Sequence, residues 1–172
     1  MNLLRRCWVW LSRIHRSVGF GIQSPTDYAF VREVINEHWP YYAYGSLKAD
    51  DRLGRKLGRL YLRLANWRRP MLMEHDAYEQ WWQAGSRKTV FVDRAQLVEL
   101  ARMDIADDWE TMVSHCDKRS VVVVEHLYHD WPQWRHIEHD GRVGTTFDLY
   151  YCGIVLFDQE RYPHHYKVNF YS

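Results

Sequence analysis

The chain has 172 residues, of which 47% are hydrophobic and 26% are charged, and its formal net charge is +1. This composition is typical of one globular domain with a real hydrophobic core, and it excludes a disordered or collagen-like chain. A net charge this close to zero provides no general field that would attract nucleic acid, so no nucleic-acid partner is expected.

The charge is divided unevenly along the chain. Residues 1–70 contain 13 Lys and Arg against 5 Asp and Glu, whereas residues 71–172 contain 10 against 17. This division favours electrostatic complementarity within the protein or between subunits, and it leaves open an anionic partner for the first part. The three cysteines are far apart, which argues against a disulfide framework and predicts a cytoplasmic protein. No apolar run approaches the roughly 20 residues of a membrane span.

Three helices are predicted before residue 70. The first, over residues 3–16, is amphipathic and basic, and its apolar stripe consists of Leu3, Leu4, Cys7, Trp8, Leu11 and Ile14. Such a helix is expected to pack as an arm on its own domain or on a second subunit, with a membrane surface as the less favoured partner. Ser24 followed by Pro25 predicts the start of the second helix. The third helix is predicted over 49–69 and carries a basic face.

From residue 70 the pattern changes to short apolar runs that alternate with helical segments. The run Val121–Val124 predicts a strand that is buried on both faces. Strands joined through helices predict an α/β fold with parallel crossovers. The other predicted strands lie at 71–74, 89–93, 142–150, 153–158 and 165–170, and the predicted helices at 77–84, 94–116 and 130–134.

Two distant segments resemble one family. The segment Gly19–Pro25, followed by Pro40-Tyr41-Tyr42-Ala43-Tyr44, is similar to the N-terminal helical arm of a group of bacterial class I S-adenosylmethionine-dependent methyltransferases. The valine strand, Thr146-Phe147-Asp148-Leu149 and Gly153-Ile154-Val155-Leu156-Phe157 resemble the C-terminal strand and hairpin of the same group. Val90-Phe91-Val92-Asp93 resembles another strand of that family.

The resemblance implies a reduced Rossmann-like methyltransferase-type sheet that is mostly parallel, ends in an antiparallel hairpin and follows an N-terminal helical arm. The expected organisation is one domain over residues 1–172, with the arm at 1–69 and a pruned α/β core at 70–172. The family's second and third strands, with the acid that holds the ribose, have no counterpart in the sequence.

The chain departs from the family at the cofactor site. The family position that carries glycines beside the cofactor holds Glu74, His75 and Asp76, and no glycine lies between Met71 and Ala84. Side chains at these positions would occupy the space that a close backbone approach requires. S-adenosylmethionine is therefore not an expected cofactor, unless the family activity survives through unusual contacts.

The remaining candidates for catalysis are Asp93, Glu125 and His126. Ligands of open α/β sheets gather at the carboxyl ends of strands, and Asp93 is expected on the strand next to the one that ends at Glu125. Carboxylate and imidazole groups could hold a divalent cation there, or they could cap the following helices. The spacing of His126 with His129, and of His136 with His139, fixes no metal geometry, so no metal ligand is assigned.

The sequence therefore favours a methyltransferase-like protein that has lost S-adenosylmethionine binding and acts as a non-catalytic binding or assembly module. A protein partner, or a second copy bound through the N-terminal arm, is expected. One alternative is an active S-adenosylmethionine-dependent O-methyltransferase of a small molecule, with or without a metal. Another is an adaptor for a membrane surface or an anionic partner, acting through residues 3–16 and the basic face of 52–63.

Overall fold

The computed structural model describes residues 8, 11–14, 21–158 and 162–170. Within them the protein is a mixed α/β structure with a five-stranded and a two-stranded sheet. The chain divides into two compact units, one formed by residues 1–22 with 96–171 and the other by residues 23–95. The boundary at residues 69 and 70 that the sequence suggested lies inside the second unit.

The second unit begins with two helices. Ser24 caps α1 (Pro25–Phe30) by accepting a hydrogen bond from the backbone N–H of Asp27, and Pro25 occupies the first turn, as the sequence predicts. A turn of π-helix follows at Val31–Ile35 and a 3-10 turn at Tyr42–Gly45. The long helix α2 (Arg52–Arg68) begins after the cap Asp51 and confirms the prediction for 49–69.

The rest of the second unit is a strand–helix–strand segment. It consists of β1 (Leu72–Glu74), α3 (Glu79–Gly85) and β2 (Val90–Val92), and the two strands pair in parallel. The helices α2 and α3 pack closely, because a Cβ on Gly58 would lie only 2.4 Å from the ring of Trp81. These short elements confirm the strand and helix predictions for residues 71–93.

The first unit contains the larger sheet. Its elements are β3 (Val98–Asp104), α4 (Trp109–Ser114), β4 (Cys116–Glu125), a 3-10 turn (Leu127–His129), α5 (Trp131–Glu138), β5 (Thr145–Asp148), β6 (Cys152–Leu156) and β7 (His164–Lys167). The strand order is β3-β4-β6-β5-β7. The pairs β3–β4 and β5–β7 are parallel, whereas β6 runs antiparallel to both β4 and β5. The larger sheet is therefore mixed, rather than the mostly parallel sheet that the sequence suggested.

One long prediction is wrong. Residues 94–116 were expected to be helical, but they form β3 and the short α4. Ala101, Arg102 and Met103 favour helices by intrinsic propensity, yet β3 pairs with β4 over Leu100–Asp104, and this tertiary pairing decides the conformation. Asp104 then begins a tight turn, in which its carboxylate accepts a hydrogen bond from the backbone N–H of Ala106.

The valine run is the centre of the sheet, as predicted. Residues Val121–Glu125 are all buried and pair with β3 on one side and β6 on the other. The apolar core of this unit packs against the sheet and includes Val122, Val124, Leu127, Trp134, Ile137, Val143, Val155 and Phe157. The hairpin β5–β6 and the edge strand β7 also follow the prediction.

The N-terminal segment is only partly described. The predicted apolar positions Leu3, Leu4 and Cys7, and the pair Gly19 and Phe20, lie outside the described residues. Arg13 makes a bidentate contact with Asp148, with both nitrogen–oxygen distances at 3.0 Å, and also donates to the backbone carbonyl of Asp148 at 2.8 Å. The Asp148 side chain is only 2% exposed, so this ion pair joins the segment to the end of β5.

No helix in the described ranges has the length and apolarity needed to cross a membrane.

The close approach of β6 to α5 gives a stability prediction. A Cβ on Gly153 would lie 2.2 Å from the ring of Trp134, which is almost fully buried. We expect Gly153→Ala to lower the free energy of unfolding by about 1–3 kcal/mol, because the ring has to move within a packed core. Urea denaturation measures this change.

The matched control is Gly141→Ala, because a Cβ there meets no atom within 4 Å and the backbone conformation suits an L residue. We expect that variant to stay within about 0.5 kcal/mol of the wild type. Equal losses in the two variants would contradict the close packing of Trp134 on Gly153.

Candidate functional site

Glu74, His75 and Asp76, at the end of β1 and directly after it, each make a hydrogen bond to another part of the protein. His75 Nδ1 lies 2.7 Å from a Glu79 carboxylate oxygen, and this hydrogen bond raises the pKa of His75. A Glu74 carboxylate oxygen accepts from the backbone N–H of Ala95 at 2.9 Å. The segment after β1 is thus built from polar side chains that bind neighbouring groups of the protein.

Asp76 is the central residue of this segment. Its carboxylate accepts from the backbone N–H of Tyr78 at 2.7 Å, and its two oxygens lie 3.1 and 2.9 Å from the Trp82 indole nitrogen, which donates. Trp82 is fully buried and stacks on Tyr61 with 4.5 Å between ring centroids. Asp76 therefore fixes the first turn of α3 and the aromatic core beneath it.

Asp93 does not lie on a strand next to the valine strand. It follows β2, which is paired with β1 in the two-stranded sheet, whereas the neighbours of β4 are β3 and β6. The expectation that Asp93 lies beside Glu125 depended on one long helix over residues 94–116. The strand inside that interval, β3, supplies the neighbouring side chains instead.

Glu125 is a structural acid. Its carboxylate accepts from the Arg102 guanidinium at 3.0 Å, and the Glu125 side chain is only 5% exposed. Arg102 belongs to β3, two residues before the position that pairs with Glu125. An ion pair this well buried is costly to break from one side, so Glu125 is committed to holding the two strands together.

His126 lies at the carboxyl end of β4 in a left-handed backbone conformation, with φ of 60°. Its backbone N–H donates to the carbonyl of Tyr151 at 2.9 Å, and its Nδ1 lies 2.5 Å from a carboxylate oxygen of Asp104. A non-glycine residue held in this region costs about 1–3 kcal/mol and often marks a functional position. Asp104, on the neighbouring strand, is the functional candidate that the sequence analysis missed.

The His126 and His129 side chains stack. Their ring centroids are 5.3 Å apart and their planes are inclined by 10°. The 3-10 turn at Leu127–His129 explains this, because three residues per turn place side chains at positions i and i+3 on the same side. The His126 and His129 side chains therefore lie on one face of this turn.

Aromatic rings surround this corner of the sheet. Tyr150, in the turn between β5 and β6, has a φ of 72°, and its ring lies nearly parallel to that of Tyr128 at 5.9 Å. The Trp131 ring is also 5.9 Å from Tyr150, and the Arg13 guanidinium lies 5.6 Å from the centre of the Tyr150 ring. Two residues with positive φ, His126 and Tyr150, therefore lie at one aromatic cluster.

The charge of Asp104 is fixed by its contacts. Partial burial acts to raise the pKa of this carboxyl group, but the Ala106 N–H and the His126 ring outweigh it and hold the pKa below its usual value. Asp104 is therefore ionised near neutral pH and can only accept a hydrogen bond. The hydrogen of its contact with His126 consequently belongs to Nδ1.

In the described part of the chain, His, Cys, Asp and Glu side chains form no group of three that could hold a metal ion. In the second histidine pair, the His139 ring lies 5.9 Å from that of His165, and its Nδ1 is 2.7 Å from the carbonyl of Arg135. Burial raises the pKa of Cys116 to about 11, so this thiol is not an activated nucleophile.

The contacts of Asp76 give a prediction that separates a structural role from a ligand-binding role. We expect Asp76→Ala to lower the free energy of unfolding by about 1–3 kcal/mol, because the buried Trp82 indole N–H loses its acceptor. Asp93→Ala is the control, since Asp93 is exposed, and we expect it to change stability by less than about 0.5 kcal/mol. Urea denaturation of both variants is the measurement, and an Asp76→Ala protein as stable as the control contradicts this role.

The chain has no match among protein-family models, curated proteins or solved structures. The likeness to methyltransferases therefore rests on the sequence motifs alone.

Proposed function

We propose that this chain is a methyltransferase-like protein that does not bind S-adenosylmethionine and acts as a binding or assembly module. The segment Glu74–Asp76 carries the proposal. In the family that the sequence resembles, bare backbone at this position approaches the cofactor, whereas here each side chain is bound to a neighbouring group of the protein. An adenosyl donor would have to displace the Asp76–Trp82 contact to reach the backbone.

The arrangement of the strands agrees with a reduced Rossmann-like fold. The parallel pairs β1–β2 and β3–β4 are each connected through one helix, as in a βαβ unit. The reversed strand β6 between β4 and β5 agrees with the antiparallel hairpin that closes the sheet in the family. These features support descent from a methyltransferase frame.

The N-terminal segment supports the assembly role. Three large apolar side chains at a spacing of three residues are exposed: Trp8 by 67%, Leu11 by 59% and Ile14 by 46%. Arg13, in the same segment, is held by the buried carboxylate of Asp148. A run of exposed apolar side chains on an anchored segment is typical of a protein interface, and we propose self-association through this arm.

A calorimetric titration tests the loss of cofactor binding. We expect no saturable heat when S-adenosylmethionine or S-adenosylhomocysteine is added. The reason is that the side chains of Glu74, His75 and Asp76, at the end of β1 and directly after it, are hydrogen-bonded to other groups of the protein. A methyltransferase that retains the glycine motif, titrated with the same solutions, is the positive control. Binding at micromolar concentration would overturn this proposal and favour an active methyltransferase.

Light scattering after size-exclusion chromatography tests the assembly role. We expect a mass above that of one chain for the wild type and a lower mass for the double variant Trp8→Ser, Leu11→Ser, which loses apolar contact area. Tyr162→Ser is the control, because Tyr162 is 87% exposed but lies outside the arm. A wild type that is monomeric at tens of micromolar rejects self-association. If that monomer floats with anionic vesicles, the arm serves a membrane-surface adaptor instead.

A further inference from the structure

Two residues with positive φ lie close together near the carboxyl ends of β3 and β4. Among the described residues, Arg69, His126 and Tyr150 are the non-glycine residues with positive φ, and the last two meet at this corner. The backbone N–H of His126 donates to the carbonyl of Tyr151, which links their two turns directly. Arg69 is the ordinary left-handed cap of α2, and Tyr150 lies in the hairpin turn between β5 and β6, where positive φ is common. His126, at the end of β4, has neither role.

Asp104 determines which ring nitrogen of His126 carries the hydrogen. Since the carboxylate takes the hydrogen on Nδ1, the neutral imidazole keeps its lone pair on Nε2. The Asp104 carboxylate also accepts a hydrogen bond from the backbone N–H of Ala106, so two donors of the protein bind it. The corner therefore offers a proton acceptor, Nε2, on an imidazole ring that Asp104 orients.

The neighbouring side chains favour a planar ligand. Tyr128 and Trp131 are half-buried, which leaves part of each ring accessible, and the exposed His129 ring lies parallel to that of His126. Aromatic rings bind other planar rings by stacking or by edge-to-face contact. The Asp104 carboxylate disfavours a ligand that arrives as an anion. A neutral molecule with an acidic hydrogen fits both conditions.

We propose that this corner binds a planar weak acid of the phenol class, with His126 Nε2 accepting the phenolic proton and Asp104 positioning the imidazole. The O–H bond of the ligand breaks, its electron pair stays on the oxygen, and the proton forms a bond to Nε2. The imidazolium then lies between two anions, the phenolate and Asp104. This proposal depends on neither the adenosyl donor nor self-association, so a negative result for it would leave the proposed function unaffected.

Absorbance titration with 4-nitrophenol tests the proposal, because its phenolate absorbs visible light and the neutral phenol does not. The protein is titrated at a pH equal to the ligand's own pKa, which lies above the ordinary histidine pKa of about 6.5 and leaves half of the free ligand neutral. We expect a saturable gain of phenolate absorbance with the wild type. His126→Gln should abolish the gain, and Asp104→Asn should weaken it about tenfold, because an amide can also hold the other imidazole tautomer.

Two controls make the result specific. His136→Gln removes an exposed histidine on α5 of the same unit and should leave the titration unchanged. 4-Nitroanisole, the methyl ether, has the same ring but no acidic hydrogen and should show no phenolate band and weaker competition. Circular dichroism confirms that each variant is folded. A wild type without a saturable band, or a His126→Gln protein that keeps it, overturns the proposal.

Discussion

The strand β4 is constrained by having two different neighbours. Val121–Glu125 are buried, so every backbone N–H and C=O of this stretch has to be paired within the protein, and the parallel ladder to β3 and the antiparallel ladder to β6 do this. The same register places Asp104 opposite Glu125. Because the valine run pairs in this register, one corner of the sheet contains the Asp104 and Glu125 carboxylates and the turn that begins at His126.

Local chemistry made much of the fold predictable. Three sequence signals express a strong local preference, and the structure agrees with all of them. They are the Ser24–Pro25 helix start, the spacing of apolar residues by three and four positions in α2, and the β-branched run in β4. The strand β3 was not predictable in this way. Ala101, Arg102 and Met103 suit a helix when they are considered alone, and only the edge offered by β4 makes them a strand.

The error in β3 explains what was missed at the site. Because the sequence pattern predicts one helix over residues 94–116, it does not indicate Asp104 as a site residue and it predicts Asp93 beside the valine strand. Glu125 and His126 were located correctly at the strand end, but their partners, Arg102 and Asp104, come from a strand that the sequence did not reveal. A pattern in one segment cannot identify a partner that only long-range pairing brings near.

The bond between Arg13 and Asp148 has a practical consequence for anyone shortening this protein. The Asp148 carboxylate lies almost wholly inside the protein, and the cation that neutralises it is supplied by a residue near the start of the chain. Removing the first twenty residues would leave this buried carboxylate without its arginine, and the backbone N–H of Tyr150 would be a remaining donor to it. A truncated form should therefore be prepared with Asp148 replaced by a neutral side chain, so that the trimmed end does not unfold the sheet.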